Sequence, residues 1–281
     1  MITKSQFRKG KLQMKMKLDA YKLKLIAVIF MILDHVYSYL NAPIHSYEAG
    51  ASWPQWIPVL TRFVSPLFLY LMIDGFYHTR NRQKYLIRLF AAALIMWCGN
   101  IMINLSFSNV NSSTGKFSFL KLIEGHNIFL TLAILFAFIW CLENTRQRKN
   151  TVPSVILTII TAFLCLFTEG GFYLLPLAVI IWMFYGKKKL QCAGIGVWCA
   201  ILLIKTLVSY YSGVIATTLY CDLCFDNEWA MFLVIPFILL YNGERGKNTG
   251  FTKYFFYGIY PAHLWILMIV RFIILSSYTR M

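Results

Sequence analysis

Long apolar runs alternate with short polar segments along almost the whole chain. Each run is about 15 to 22 residues long, close to the roughly 20 residues that an α-helix needs to cross a bilayer. The approximate limits of the runs are residues 23–40, 57–77, 86–105, 127–142, 152–167, 171–185, 191–211, 229–241 and 254–275. The pattern therefore predicts an all-α bundle of nine transmembrane helices.

This arrangement predicts an integral membrane protein with a single membrane domain. Residues 23–281 hold every apolar run, and residues 1–22 form a basic tail that we expect in the cytoplasm. The run after the tail has span length and no small-residue cleavage site behind it, so we expect it to remain as an anchor. One alternative stays open, because the segment "TEGG" within residues 152–185 also fits the tip of a re-entrant helical hairpin.

Lysine and arginine residues are concentrated in alternate connecting segments. The tail up to Lys24 carries eight of them, and the segments "HTRNRQKYLIR", "NTRQRKN", "GKKK" and "GERGKNTGFTK" carry four, three, three and three. The intervening segments carry few or none. Because cytoplasmic loops carry the excess of positive charge, the N-terminus is predicted inside and, with nine spans, the C-terminus outside.

Composition agrees with a membrane protein: 59% of the residues are hydrophobic, 14% are charged, and the mean hydropathy is +0.61. The net charge is +16, and the basic residues fall in clusters between the apolar runs. This distribution fits loops that face an anionic membrane leaflet. We therefore expect membrane lipids as partners and no nucleic acid. Cys221 and Cys224 form an isolated CxxC pair in an acidic segment, so we interpret them as unpaired thiols and predict no metal site.

Polar residues interrupt the first and last apolar runs. A charge at bilayer depth costs roughly 2.5 to 3.5 kcal/mol, yet Asp34 and His35 lie inside "KLIAVIFMILDHVYSYL". At 1.5 Å per residue, His35 and His263 both lie near the middle of their helices, so the two imidazoles are expected to meet. Tyr257 and Tyr260 continue a polar stripe from His263 along the last helix.

Imidazole is the usual general base near neutral pH, which makes His35 the first candidate for chemistry. Adjacent helix residues point about 100° apart, so Asp34 is expected to serve as a positioning partner on another face of the helix. Two other interpretations remain open. Buried histidine and aspartate also relay protons in transporters, and polar contacts also hold membrane helices together.

The second apolar run ends in a basic cluster. Phosphate-binding sites favour arginine, so this cluster suits a phosphate-bearing ligand from the cytoplasm as well as positive-inside topology. Near the outer ends of their runs, Arg62 and Asn127 are candidates for hydrogen bonding in a cavity, whereas Glu169 in an outer turn is expected to be solvated. The basic cluster consists of His78, Arg80, Arg82, Lys84 and Arg88.

Four segments together resemble the TraX family. They are "LKLIAVIFMILDH" (23–35), "RFVSPLFLYLMIDGFYHTRNRQKYLIRL" (62–89), "HNIFLTLAI" (126–134) and "FFYGIYPAHLWIL" (255–267), and they occur in the expected order. The resemblance implies a multi-pass protein of the bacterial cytoplasmic membrane; the namesake acetylates the N-terminus of a conjugative pilin. The family in turn looks like a branch of the acyltransferases that O-acetylate surface sugars.

In that sugar-modifying branch an arginine stands eleven residues before the histidine of the first span. Here Lys24 stands eleven residues before His35, a departure that weakens the transfer of any role to this position. A second departure is Ser65, where the TraX pattern has phenylalanine; this change should matter little to chemistry.

The resemblance also implies roles for the candidate residues. His35 would act as general base or accept the acetyl group transiently. Acetyl-CoA would enter from the cytoplasm, with its phosphates near His78, Arg80, Arg82, Arg88 and Lys24. Asp34 and His263 complete the expected catalytic set. The residues expected to hold the acceptor or the oxyanion are Arg62, Asn127, Tyr257, Tyr260 and His263.

The acceptor and the assembly stay open on sequence grounds. A peptide N-terminus, a lipid or a glycan would satisfy the same residues, and the sequence does not distinguish a monomer from an oligomer. The competing function is a proton-coupled transporter or flippase that uses the mid-membrane histidine. A helper subunit without chemistry of its own is the third interpretation.

Overall fold

The structure is a computed structural model that describes residues 17–45, 53–109, 118–213, 218–247 and 249–278. In this part of the chain the fold is all-α, as predicted, with one isolated bridge between Leu18 and Tyr241. The α-helices are α1 (Ala20–His45), α2 (Ile57–Thr61), α3 (Val64–His78), α4 (Arg82–Ser106), α5 (Phe119–Leu122), α6 (Ile128–Arg146), α7 (Thr151–Cys165), α8 (Gly171–Met183), α9 (Lys188–Tyr211), α10 (Leu219–Phe225), α11 (Ile235–Leu240) and α12 (Gly250–Tyr278).

Six helices within these residues are long and apolar enough to cross a membrane, where the sequence predicted nine spans. They are Ala20–Asn41, Ile57–His78, Arg82–Ser106, Ile128–Arg146, Lys188–Tyr211 and Gly250–Ser277. A bent pair, Leu219–Phe225 and Asn227–Leu240, would make a seventh if it forms one span. The structure therefore supports a multi-pass membrane protein, and its orientation stays a prediction.

Helices α7 and α8 account for most of the difference in span number. They contain 15 and 13 residues, or about 23 and 20 Å at 1.5 Å per residue, against a hydrocarbon core of about 30 Å. A five-residue turn, 166–170, joins them, and Gly170 has a φ of 66° there. This turn is the segment that the sequence marked as the tip of a hairpin.

The centre of the bundle is formed by α3 and α6. Helix α3 packs against α1, α6 and α8, while α6 also contacts α4 and α7. Phe76 and Phe136 from these two helices are fully buried and meet edge to face at 5.3 Å. Large apolar side chains on α7, such as Ile159 and Phe163, are instead exposed, as expected of a surface that contacts lipid.

The last helix is held by close packing against α1 and α4. Gly99 of α4 accommodates the indole of Trp265, because a Cβ atom at this position would lie 2.1 Å from Cζ2 of that ring. The indole Nε1 also donates a hydrogen bond to Oδ1 of Asn100 over 3.1 Å. This contact fixes the part of α12 that carries His263.

The start of α1 is tied to the segment that precedes α12. Leu18 donates its backbone N–H to Leu240 and accepts one from Asn242, both over 2.9 Å. These bonds bring residues 241–247 beside the first turn of α1. Most of the predicted tail, residues 1–16, lies outside the described residues.

Candidate functional site

Two buried histidines meet in the interior of the bundle, as the sequence predicted. His35 on α1 and His263 on α12 are 6% and 8% exposed, and Nδ1 of His35 lies 2.8 Å from Nε2 of His263. Their rings stack with centroids 5.0 Å apart. The first and last helices therefore contribute one imidazole each to the same site.

The surrounding contacts determine which ring nitrogens carry protons. Nδ1 of His263 lies 2.7 Å from the carbonyl oxygen of Ile259, and a carbonyl oxygen only accepts hydrogen bonds. In the neutral ring this places the proton of His263 on Nδ1, so its Nε2 accepts. His35 must then donate from Nδ1. The neutral His35 ring is left with an unprotonated Nε2, which is the form that a general base requires.

A second pair, formed by a histidine and a glutamate, lies beside the two histidines. His126 precedes α6, and its Nδ1 donates to Oε1 of Glu169 over 2.5 Å. Glu169 also accepts from the backbone N–H of Asn127 over 2.6 Å, and the Thr131 hydroxyl donates to its carbonyl oxygen. The ring centroids of His126 and His35 are 5.0 Å apart. The prediction that Glu169 is merely solvated was wrong, because the 166–170 turn brings it against the N-terminus of α6.

The charges of this pair support each other. Burial alone would lower the pKa of His126, but the carboxylates of Glu169 and Asp34 together outweigh burial and the net pKa is raised. Burial alone would raise the pKa of Glu169, yet the His126 ring and the Asn127 N–H outweigh it and the net pKa is lowered. Both partners are thus stabilised in their charged forms.

Three groups here also form a possible metal-ligand set. One donor atom each from His35, His126 and Glu169 lie within 4.8 Å of one another. Donors about 2.0 to 2.1 Å from a tetrahedral zinc ion are about 3.3 Å apart, whereas the His126 and Glu169 atoms are only 2.5 Å apart. The geometry fits a hydrogen bond between these two residues better than shared coordination.

A pocket of about 270 Å³ opens beside this pair, at the end of the bundle opposite His78. We call it the outer pocket; its lining includes Ser38, Tyr39, Glu124, His126, Glu169 and Arg271. Lys121 neutralises Glu124 through a 2.9 Å ion pair. Nε of Arg271 is buried without a hydrogen-bond partner among the described residues. The outer pocket thus offers an acid–base pair together with the side chain of Arg271.

A larger cavity of about 480 Å³ lies at the other end of the bundle. We call it the basic cavity, because five basic side chains line it together with tyrosine and phenylalanine rings. Its volume falls within the roughly 300 to 1,000 Å³ of ligand pockets. The basic side chains are Lys24, His78, Arg88, Arg245 and Lys247.

The structure separates the predicted basic cluster into two groups. His78 and Arg88 line the basic cavity together with Lys24, whereas Arg80 and Arg82 are absent from its lining. Arg82 instead stacks over the Phe76 ring at 4.0 Å. Helix α3 ends at His78 and α4 begins at Arg82, so the intervening turn directs neighbouring residues to different surroundings.

Arg245 and Lys247 were missed as candidate ligands. Their segment, "GERGKNTGFTK", contributed only to the predicted topology. Their position depends on the pairing of Leu18 with Leu240 and Asn242, which draws residues 241–247 to the start of α1. A long-range backbone contact of this kind leaves no local pattern in the sequence.

Arg88 provides a direct test of whether the basic cavity fits a phosphate-bearing ligand. Its guanidinium lies 5.6 Å from the Tyr85 ring, and its Nε is buried without a hydrogen-bond partner among the described residues. A buried donor without a partner costs about 1 to 3 kcal/mol. The cavity lining also supplies Lys24, Arg245 and Lys247, and arginine and lysine are the usual phosphate ligands, so the residues present fit such a ligand.

Aromatic rings lie between the basic cavity and His35. Phe129 and Tyr257 line the cavity, with ring centroids 5.7 Å apart. Phe129 also contacts Tyr260 at 4.9 Å, and Tyr260 lies 6.2 Å from His35. The Tyr260 hydroxyl accepts from the N–H of Ile128 over 3.0 Å, which leaves its own proton available to donate.

Two other predicted residues, Asp34 and Arg62, have hydrogen-bond partners within the protein. Asp34 accepts a hydrogen bond from the hydroxyl of Thr61. Arg62 donates to Asn227 and lies 3.5 Å from a Glu228 carboxylate oxygen.

Asn127 is the N-cap of α6. Its side-chain oxygen accepts from the N–H of Leu130 over 3.3 Å, and its amide nitrogen donates to the carbonyl of Ala93 over 3.0 Å. Both ends of this side chain therefore have partners within the protein, so it offers little to a bound acceptor.

Comparison with known proteins complements this geometry. A protein-family model described as TraX protein matches residues 19–271. The probable fimbrial assembly protein FimC, serogroup H1, of Dichelobacter nodosus is 25% identical over 268 residues, which cover 89% of this chain and 94% of that protein. No solved structure matches the chain.

Proposed function

Because the chain belongs to the TraX family, we propose that it is a membrane acetyltransferase that moves the acetyl group of acetyl-CoA to an acceptor amine. The observation that carries this proposal is the arrangement around His35. The basic cavity approaches it from one end of the bundle, and the outer pocket approaches it from the other. A donor and an acceptor on opposite sides of a membrane need such an arrangement.

Acetyl-CoA occupies the basic cavity in this proposal. Its phosphates contact Arg88, Arg245, Lys247 and Lys24, since arginine and lysine are the usual phosphate ligands. The acetyl end extends towards His35 past Phe129 and the tyrosines of α12. With the basic end in the cytoplasm, as the distribution of lysine and arginine predicts, acetyl-CoA is available where the cavity opens.

The chemistry takes place at Nε2 of His35. This nitrogen accepts a proton from the acceptor as the acceptor attacks the thioester carbonyl, and the proton then goes to the departing CoA thiolate. His263 holds the Nδ1 proton of His35 throughout. The Tyr260 hydroxyl donates to the oxyanion that forms on the carbonyl oxygen.

The proposed acceptor is the N-terminal amine of a pilin-type or fimbrial subunit in the cytoplasmic membrane. The similar D. nodosus protein is named as a probable fimbrial assembly protein, which connects the fold with such subunits. The outer pocket suits a peptide terminus, because Glu169 attracts the ammonium group. The guanidinium of Arg271, which lines the same pocket, would then donate to the first peptide carbonyl.

Acetyl-CoA binding tests the first half of the proposal. Isothermal titration calorimetry of the purified protein should show binding that weakens about 10- to 100-fold in Arg88→Ala, the loss expected for hydrogen bonds of a charged group. Arg82→Ala is the matched control, because this arginine stacks on Phe76 outside the cavity, and binding should be retained. Absence of binding to the wild-type protein would favour a transporter.

Transfer tests the second half. Release of CoA thiol should depend on an added library of random hexapeptides with free N-termini, and His35→Ala should bind acetyl-CoA normally without transfer. Near-normal transfer by His35→Ala would refute the assignment of the base and favour a helper role for the protein.

A further inference from the structure

Acetylation of an amine requires two proton transfers, and a single histidine that ends the cycle unchanged accounts for only one of them. An N-terminal amine has a pKa of about 7.7 to 8.0, so at neutral pH it arrives mainly as ammonium. The overall reaction converts ammonium and acetyl-CoA into amide, CoA thiol and one free proton. One proton must therefore leave before the nitrogen can attack.

The structure contains a second base in the right place for this step. His126 donates from Nδ1 to Glu169, so its neutral ring has an unprotonated Nε2, just as the neutral His35 ring does. The two rings lie 5.0 Å apart. His126 and Glu169 also line the outer pocket, whereas His35 is absent from the lining of both cavities.

We propose that His126, oriented by Glu169, removes the first proton from the acceptor ammonium and releases it through the outer pocket, while His35 handles the second. This inference rests on the proposed function and adds a catalytic residue, His126, and a positioning residue, Glu169. The two proton transfers occur at different places. His126 lines the outer pocket and exchanges protons with solvent, whereas His35 lies inside the bundle and protonates CoA.

The two steps balance in atoms and charge. First, an N–H bond of the ammonium breaks, its proton binds Nε2 of His126, and the neutral amine keeps the electron pair. Second, that pair forms the C–N bond to the acetyl carbon while the C–S bond breaks. The remaining excess proton passes from nitrogen to Nε2 of His35 and on to the thiolate. His126 then loses its proton to the outer solution, and both rings are restored.

The electrostatic surroundings of His126 support this assignment. Burial lowers its pKa, but the carboxylates of Glu169 and Asp34 outweigh burial and raise the pKa above its ordinary value. This shift brings the base closer to the pKa of the ammonium that it deprotonates. The titratable and charged groups around the ring or its pocket are Asp34, His35, Tyr39, Glu124, Glu169, Tyr260, His263 and Arg271.

The test compares His126→Gln and Glu169→Gln with the wild-type protein across pH, using the random hexapeptide library. At pH 7 roughly 9 to 17% of the amine is already neutral, so transfer by His126→Gln should fall about 6- to 11-fold. The loss should shrink as pH rises past about 8, because the amine then arrives deprotonated. Asp226→Asn is a matched control, since it removes a carboxylate that pairs with Lys205 outside the site.

A second library, capped with an aminooxyacetyl group, separates chemistry from folding. Its amine is neutral at pH 7 and needs no first deprotonation. Both variants should lose much less transfer with this library than with the hexapeptide library, whereas His35→Ala should fail with either library. Equal losses by His126→Gln at every pH and with both libraries would overturn the inference.

Two further outcomes are distinguishable. Inactivation of the wild-type protein by a chelator, with recovery on addition of zinc, would make His126 a metal ligand and overturn the inference while leaving acetyl transfer intact. If the wild-type protein acetylates neither library, the proposed function itself fails and the inference falls with it.

Discussion

Replacement of His263 tests whether this residue fixes the protonation of His35. His263→Leu removes the acceptor that lies 2.8 Å from Nδ1 of His35 and leaves that buried donor without a partner. The proton can then move to Nε2, which blocks the nitrogen that should act as base. His263→Gln is the matched variant, because its side-chain oxygen reaches the position of Nε2 and can still accept.

The expected loss follows from the burial of both rings. His35 and His263 are 6% and 8% exposed, so water does not readily replace the lost partner. An unsatisfied buried donor costs about 1 to 3 kcal/mol. Since about 1.4 kcal/mol corresponds to a factor of ten in rate, kcat of His263→Leu should fall roughly 10- to 100-fold. His263→Gln should keep most of the wild-type kcat.

The assay is steady-state release of CoA thiol with the peptide library, after size-exclusion chromatography has shown that each variant is folded. Because His263 does not line the basic cavity, the KM for acetyl-CoA should stay constant while kcat falls. A kcat of His263→Leu within twofold of wild type would refute the role of His263. Equal losses in the leucine and glutamine variants would refute the hydrogen-bond explanation.

Two predictions concern stability. Gly99→Ala should lower the free energy of unfolding by about 1 to 3 kcal/mol, because its Cβ would lie 2.1 Å from the Trp265 ring. Gly196→Ala is the control and should not destabilise the protein, because a Cβ there has nothing within 4 Å. Thermal unfolding in detergent distinguishes the two variants, and equal Tm values would contradict the packing. Glu169→Gln should lower Tm most between about pH 4.5 and 6.5. The raised pKa of His126 makes this difference shrink as pH rises further, and a constant difference up to pH 9 would contradict the pair.

The meeting of His35 and His263 could be predicted because depth along a helix follows directly from residue count. Each histidine lies near the middle of an apolar run, and the 2.8 Å contact confirms the expected position. Their protonation could not be predicted, since it depends on the carbonyl of Ile259 and on the relative rotation of two helices.

Glu169 shows what hydrophobic patterns leave out. Its segment, "TEGG", is a turn by any local criterion, and turns are usually solvated. The short lengths of α7 and α8 and the positive φ of Gly170 bring this turn back over His126 instead. The same short helices account for two of the three apolar runs that give no helix of span length in the described part of the chain.

The basic cavity was predicted only in part. The resemblance directed attention to the end of α3, but it grouped residues by their order in the chain. Arg88 lines the cavity and Arg82 does not, because their separation by six positions on α4 places the two side chains about 120° apart around the helix. Arg245 and Lys247 reach the cavity through a backbone contact that joins distant segments.

The most direct test of acetyl transfer across the bundle uses proteoliposomes in which the protein has one orientation. Acetyl-CoA is supplied to the face with the basic cavity and the peptide library to the face with the outer pocket. Mass spectrometry should find acetylated peptide only on the outer-pocket face and free CoA only on the other, with neither product from His35→Ala. Unmodified peptides with the wild-type protein, or equal acetylation by His35→Ala, would contradict the account.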